Sequence, residues 1–218
     1  MRNETPIADN FAAIIENPDS TERDAHRFLK EYPAVLYMLF GRSGNFWHIK
    51  PEFRFGTDFR ADFAIISAHS GDWNVTFLEL ESPLDKVYTK ERTPTKMLNL
   101  AIRQTTDWEE YTRKYVDRVK DEVSKVIRPL DVEAQNELKG RGEASAHDEI
   151  LNPSTGLSAH SYVIIGNSDR FNDLQRHAHR QHSNTVATYK RIENSIRETE
   201  LLYNSHEEAK LRLSYCGE

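Results

Sequence analysis

Two apolar runs, RADFAIIS at 60–67 and NVTFLELE at 74–81, are separated only by AHSGDW. A connection that short joins antiparallel strands, because parallel strands need a crossover of a dozen or more residues. Centring the hairpin on Ser70-Gly71 sets Asp62 opposite Glu79, with Cβ atoms roughly 5 Å apart. Glu81 joins the same face because strand side chains repeat every two residues. A strand that reads as buried therefore ends in converging carboxylates. Like charges across a hairpin are destabilising, and a carboxylate taken from water without a partner is costly. A divalent cation reverses that penalty: Mg²⁺ takes carboxylate oxygens and keeps several waters. Plainer arrangements stay open, with Glu81 solvated at a strand end and Asp62 paired with Arg54 or Arg60.

The remaining segments build a mixed α/β domain around this hairpin. FWHIKPEFRF (46–55) alternates and carries Pro51, which suits an edge strand. STERDAHRFLKEY (20–32) reads as a helix capped by Ser20 or Thr21, with Pro33 after it. TKMLNLAIRQTTDWEEYTRKYVDRVKDEV (95–123) reads as the longest helix, with Leu98, Ala101, Ile102, Thr105, Trp108 and Tyr111 on one face. Residues 124–159 read as a long loop or insertion. SYVIIGN (161–167) and NTVATY (184–189) read as strands. SDRFNDLQRHAHRQH (168–182), opened by Ser168, and residues 190–213 read as helices. The order predicts a single domain over 20–213 with an antiparallel start and a parallel crossover. Residues 1–19 form a short extension carrying a short or frayed helix, and 214–218 a tail.

A formal charge of −6 argues against a generic nucleic-acid coat, but not against an enzyme that meets DNA through a local basic patch or through metal ions. No apolar run approaches the roughly 20 residues that span a bilayer, and the N-terminus has no secretory pattern. The single Cys216 fits a reducing cytosol, so a cytoplasmic protein is expected. The sequence holds no Walker loop, no Gly-x-Ser-x-Gly elbow and no CxxC pair.

The α-β-β-β-α-β order, the Asp on the second strand and the Glu-x-Glu ending the third resemble the PD-(D/E)XK (restriction-endonuclease-like) nuclease fold. The phrase LELESP…YTKERTPTKMLNLAIRQTTDWEEY is more specific. It resembles the nuclease domain of Shedu proteins, the SduA C-terminal family of bacterial anti-phage defence. LKEYP, YVIIGN and TVATY extend the likeness over roughly residues 20–205. The resemblance implies a metal-dependent endonuclease acting on DNA with Mg²⁺, for which Mn²⁺ can substitute. It also implies a homo-oligomer and, with so little chain before the core, a possible separate sensor protein.

By the same resemblance Asp62, Glu79 and the Leu80 carbonyl hold the metal, and Glu22 matches an additional acidic ligand. Glu22 equally suits favourable charge in the first turn of a helix. Glu81 stands where many members of the fold carry Lys; a Glu there can accept a proton from water or add a ligand. Ala61 replaces the usual Pro. Gln104 precedes Trp108 by one helical turn and would touch the site or the DNA, unless it only covers a helix edge. Trp108 and Tyr111 read as core. Lys86, Lys90 and Arg92 lie in a mobile-looking loop, where they contact phosphates, stand in for the missing Lys, or are simply solvated. Arg176 and Arg180 belong to an exposed or DNA-facing basic helix, a reading preferred to a zinc site at His179 and His182. Two other functions remain: a nuclease fold that only binds nucleic acid or a partner protein, and a glycosidase-like acid–base pair, for which the carboxylates stand too close.

Overall fold

The computed structural model describes residues 5–42, 44, 46–69, 71–137, 146–203 and 205–215. Its centre is the hairpin of β2 (Phe59–His69) and β3 (Asp72–Leu80). The predicted register holds, with Phe63 opposite Leu78 and His69 opposite Asp72. Most of AHSGDW is strand, and Gly71 takes the turn at φ 85°; Ser70 lies outside the described residues. β1 (Phe46–Phe55) pairs antiparallel with β2 at the sheet edge, where Pro51 costs no ladder bond on a far side. β4 (Gly156–Ile164) runs parallel to β3, and β5 (Val186–Ala187) parallel to β4. The result is a five-stranded mixed sheet in the order β1-β2-β3-β4-β5.

Strand alternation gives this sheet two apolar faces. Phe63, Ile65, Leu78 and Leu80 pack under α1 (Ile7–Glu16), α2 (Glu22–Glu31), α3 (Ala34–Phe40) and α8 (Tyr189–Leu202). Ala64, Ile66, Val75 and Phe77 pack under α4 (Lys96–Lys114) and α5 (Val116–Glu137). A third cluster, including Val87, Tyr88, Leu98, Val163 and Ala178, ties the segment after β3 to α4, β4 and α7 (Asp173–His182).

Several expectations are corrected. Residues 1–19 are not an appendage: Ile7, Ala8, Phe11 and Ile15 of α1 are buried in the main core, and the Ile7 and Ala8 amides donate to Glu200 at 2.6 and 3.1 Å. The helix predicted over 95–123 breaks at Tyr115, whose ring packs on Tyr111 at 4.8 Å. Residues 124–159 are not a loop. α5 continues to Glu137 through Pro129, because Val119, Val123 and Ile127 keep a helical stripe against the core. α6 (Ala146–Leu151) and the start of β4 follow, while 138–145 lie outside the described residues. Lys120, buried, donates to the carbonyls of Asn152 and Thr155 and closes this return. The 168–182 helix is a 3₁₀ turn (Ser168–Arg170) and then α7, capped by Asn172 rather than Ser168. The 184–189 strand shrinks to β5, since Tyr189 already begins α8. Residues 190–213 divide into α8 and α9 (His206–Ser214). Among the described residues no helix is long and apolar enough to cross a membrane. Cys216 lies outside them.

Candidate active site

The β2–β3 ladder stops at Phe63–Leu78, one position short of Asp62 and Glu79. In that gap the Leu80 amide, whose ladder partner would be Ala61, donates instead to Asp62 Oδ2 at 2.8 Å. An extended residue presents its C=O on the same edge as its N–H, so the Leu80 carbonyl faces the gap too. Glu79 shares the face of Phe77, toward α4. There Gln104 Nε2 donates to Glu79 Oε1 at 2.7 Å. Trp108 fixes the rotation of α4: it is 1% exposed, with ring centroids 6.0 Å from Phe55 and from Phe77, both edge-on. One turn earlier along the helix, Gln104 must then face the strand end. From the other side, Ser161 Oγ donates to the Thr105 carbonyl at 3.2 Å and to the Glu109 carboxylate.

Glu81 is held by its backbone. Its N–H donates to the Ile164 carbonyl at 2.9 Å, and its own carbonyl accepts from the Tyr189 hydroxyl at 2.7 Å. Its carboxylate, Asp62 Oδ1 and Glu79 Oε2 have no hydrogen-bond partner among the described residues.

The electrostatics follow from burial and crowding. Burial, then the charges of Asp62 and Glu81, push Glu79 up to about 9, against the pull of Gln104. Burial, then Glu22, Asp85 and Asp62, push Glu81 up to about 7. Burial raises Asp62, opposed by the Leu80 amide and by the charges of His26 and Arg60. Burial and Asp62 raise Glu22. Asp62 thus relies on a backbone amide; Arg60 instead reaches Glu52, at 3.9 Å. Among the described residues no group of three or more His, Cys, Asp or Glu is already gathered to hold a metal ion.

The family described as Shedu protein SduA, C-terminal, matches residues 19–197. The chain belongs to that family. No curated protein matches it. Shedu membership agrees with the resemblance carried by ELESP…AIRQTTDW, and with it comes the coarse reading of a nuclease-type protein of anti-phage defence.

The structure brings Glu22, Asp62, Glu79, Leu80, Glu81 and Gln104 of this Shedu domain to one end of the sheet. Among the described residues the Lys86 ammonium makes no ion pair with these carboxylates; only its backbone carbonyl is engaged, by Thr95 Oγ1. Nor does the 82–95 segment dangle as expected. Thr95 Oγ1 donates to the Lys86 carbonyl at 2.8 Å, the Thr95 amide to Val87 at 3.1 Å, and the Gly166 amide to Ser82 at 3.1 Å. Lys86, Lys90, Arg92, Arg176 and Arg180 are all exposed, on two segments joined through Tyr88, Phe171 and Ala178. His179 is lowered by burial and meets the Tyr88 hydroxyl through Nδ1 at 3.3 Å, while His182 shares the same ring.

Three residues near the acidic end escaped the sequence reading. Asp85 follows Glu81 by four positions in ESPLD, a spacing that signals nothing in a loop. His26, one helical turn beyond Glu22, lies 4.8 Å from the Phe63 ring and has a buried Nε2 without a partner. Tyr189 closes the TVATY phrase but is 108 residues from the carbonyl it holds, and no local pattern encodes that contact.

Proposed function

We propose that the chain is a metal-dependent endonuclease of the PD-(D/E)XK type, hydrolysing phosphodiester bonds in DNA during anti-phage defence. One observation carries this reading. Asp62 raises the protonation of Glu22, Glu79 and Glu81 at a single strand end, and Glu22 and Glu81 add to it; the nearby cations Arg23, Arg60 and His26 act only on Glu22 and Asp62. Such a cluster is costly unless a cation joins it.

The donor chemistry fits Mg²⁺, with Mn²⁺ as a substitute. Mg²⁺ is bound through one or two carboxylates and the substrate's phosphates, not an all-protein cage. Asp62 Oδ1, Glu79 Oε2 and the Leu80 carbonyl are hard oxygens of that kind, with Glu22 as a further ligand. The bound ion supplies polarisation of the phosphate and a water of lowered pKa. Gln104 holds Glu79 so that its second oxygen stays open. Glu81, poised near neutrality and backbone-anchored, accepts a proton from the attacking water. Lys86, Lys90, Arg92, Arg176 and Arg180 meet phosphates beside the site. A homo-oligomer, a separate sensor protein and a cytoplasmic setting belong to the same proposal.

A second reading is a nuclease fold that binds nucleic acid or a partner protein without cutting. What favours it is Glu81 in the position of the usual Lys, with no ion pair to its carboxylate among the described residues. The test is cleavage of linear, nicked and supercoiled DNA with Mg²⁺ or Mn²⁺, with and without EDTA, for wild type, Glu79→Ala and Glu81→Lys. Metal-dependent cutting that Glu79→Ala abolishes is the expected result. Wild type that cuts nothing under either metal, with DNA still bound, transfers the case to the binding module.

A further inference from the structure

A cavity of about 200 Å³ lies between the 82–95 segment and residues 167–175, with Asp85 in its wall. The cavity adjoins the acidic strand end: Asp85 and Gly166 both donate through their amides to the carbonyl of Ser82, the residue after Glu81. The two segments meet closely. A Cβ on Gly166 would lie 2.5 Å from the Asp85 carbonyl oxygen, and its φ of 63° also demands glycine.

The lining is of two kinds. Leu84, Val87, Tyr88 and Phe171 are apolar walls; Asp85, Lys86, Asn167 and Arg170 are polar or charged. Gln175 also lines the cavity, but its amide is spent: Nε2 donates to the carbonyls of Tyr88 and Thr89, both at 3.3 Å, and Oε1 accepts from the Asn172 amide at 3.1 Å. Asn167 is only 5% exposed, and its Oδ1 accepts the Asp169 amide at 2.9 Å. Its Nδ2 has no partner among the described residues, and Arg170 has no acidic partner among them. The cavity thus offers unspent donors, one carboxylate acceptor and apolar walls.

We propose that this cavity receives one unstacked nucleobase of the strand being cut, so that the substrate is DNA with an unpaired base beside the scissile phosphate. The inference rests on the nuclease reading of the acidic site. Lys86 and Arg170 alone would suit a phosphate, but a phosphate leaves the Asp85 carboxylate and the apolar walls unmatched, whereas a base edge presents an N–H to Asp85 and ring or carbonyl acceptors to Asn167 Nδ2 and Arg170. The apolar walls cover ring faces. The volume is below that of drug-sized ligand pockets and suits a single ring system. A base inside a continuous duplex must first be unstacked, which costs least where it is already unpaired. Single strands, frayed ends and mismatches are therefore favoured.

The test is fluorescence anisotropy in Ca²⁺ buffer, so that binding is read without cleavage. Three labelled DNAs are compared: a fully paired duplex with G·C-clamped ends, the same duplex with one internal mismatch, and a single strand. Wild type is expected to bind the mismatched and single-stranded DNAs about tenfold more tightly than the paired one. Asn167→Asp keeps the Oδ1 acceptor that caps the 3₁₀ turn and removes the Nδ2 donor. It should abolish the preference and leave paired binding unchanged. Arg170→Ala, at an exposed side chain with no bond to lose, should reduce the preference in the same direction. Equal wild-type affinity for all three DNAs, or a preference that survives both variants, overturns the inference while leaving the nuclease reading intact. Failure to bind any DNA overturns both.

Discussion

Gln104 Nε2 lies 2.7 Å from Glu79 Oε1, and this bond leaves Glu79 Oε2 without a hydrogen-bond partner among the described residues. Gln104→Ala frees the carboxylate to rotate and removes the interaction that opposes its protonation. Residues that orient a metal ligand typically matter by about 10–100-fold in affinity or activity. Mn²⁺ titration followed by calorimetry should show a loss of that order in Gln104→Ala, with the melting temperature nearly unchanged because the side chain is exposed. Unaltered Mn²⁺ affinity would remove Gln104 from the site.

Glu79 and Glu81 give the metal-free protein a definite pH dependence. Their folded values, about 9 and about 7, stand above the ordinary 4.5. Between these limits the native state holds more protons than the unfolded chain, so stability falls as pH rises. In EDTA, the melting temperature should decline from pH 5 to pH 9, within the window these values set. Glu79→Gln should flatten the upper part of that decline. Stabilisation by Mg²⁺ should grow over the same range, because the ion replaces protons.

Tyr189→Phe deletes one hydroxyl from a fully buried side chain and leaves the Glu81 carbonyl without its donor. An unsatisfied buried acceptor costs about 1–3 kcal/mol. Urea unfolding should register a loss in that range. Cleavage should fall by more than the small unfolded fraction explains, since Glu81 loses its anchor.

Trp108→Ala should be the most damaging single change on α4. It opens a cavity between Phe55 and Phe77 and removes the wedge that aims Gln104. Large aromatic truncations in cores cost about 3–5 kcal/mol. Trp108→Phe should recover much of the stability, measured by thermal unfolding, and with it the Mn²⁺ affinity.

The acidic site was legible where short-range geometry decides it. The brief link between β2 and β3 fixes the register, and parity then puts Asp62, Glu79 and Glu81 on one face. Gln104 comes from the resemblance, since its spacing to Trp108 suits a helix edge equally well. The α5 helix was hidden because Pro129 and the polar residues around it mask the Val119, Val123 and Ile127 stripe. The 82–95 segment looked loose because two of its buried residues, Val87 and Tyr88, are adjacent and show no period. Asp85, His26 and Tyr189 were missed for a different reason: what gives them meaning is tertiary proximity, which one sequence does not write down.

The hydroxyl of Tyr189 spans 108 residues to reach Glu81, and that span sets an order of assembly. The hairpin and its carboxylates leave the ribosome long before α8 does. Until Tyr189 emerges, the Glu81 carbonyl has no donor, and β4, which supplies the Ile164 carbonyl to the Glu81 amide, is itself a late arrival. A nascent or truncated chain therefore carries the acidic residues without the scaffold that aims them. For a protein whose proposed chemistry threatens its own host's DNA, competence is deferred until synthesis has passed Tyr189.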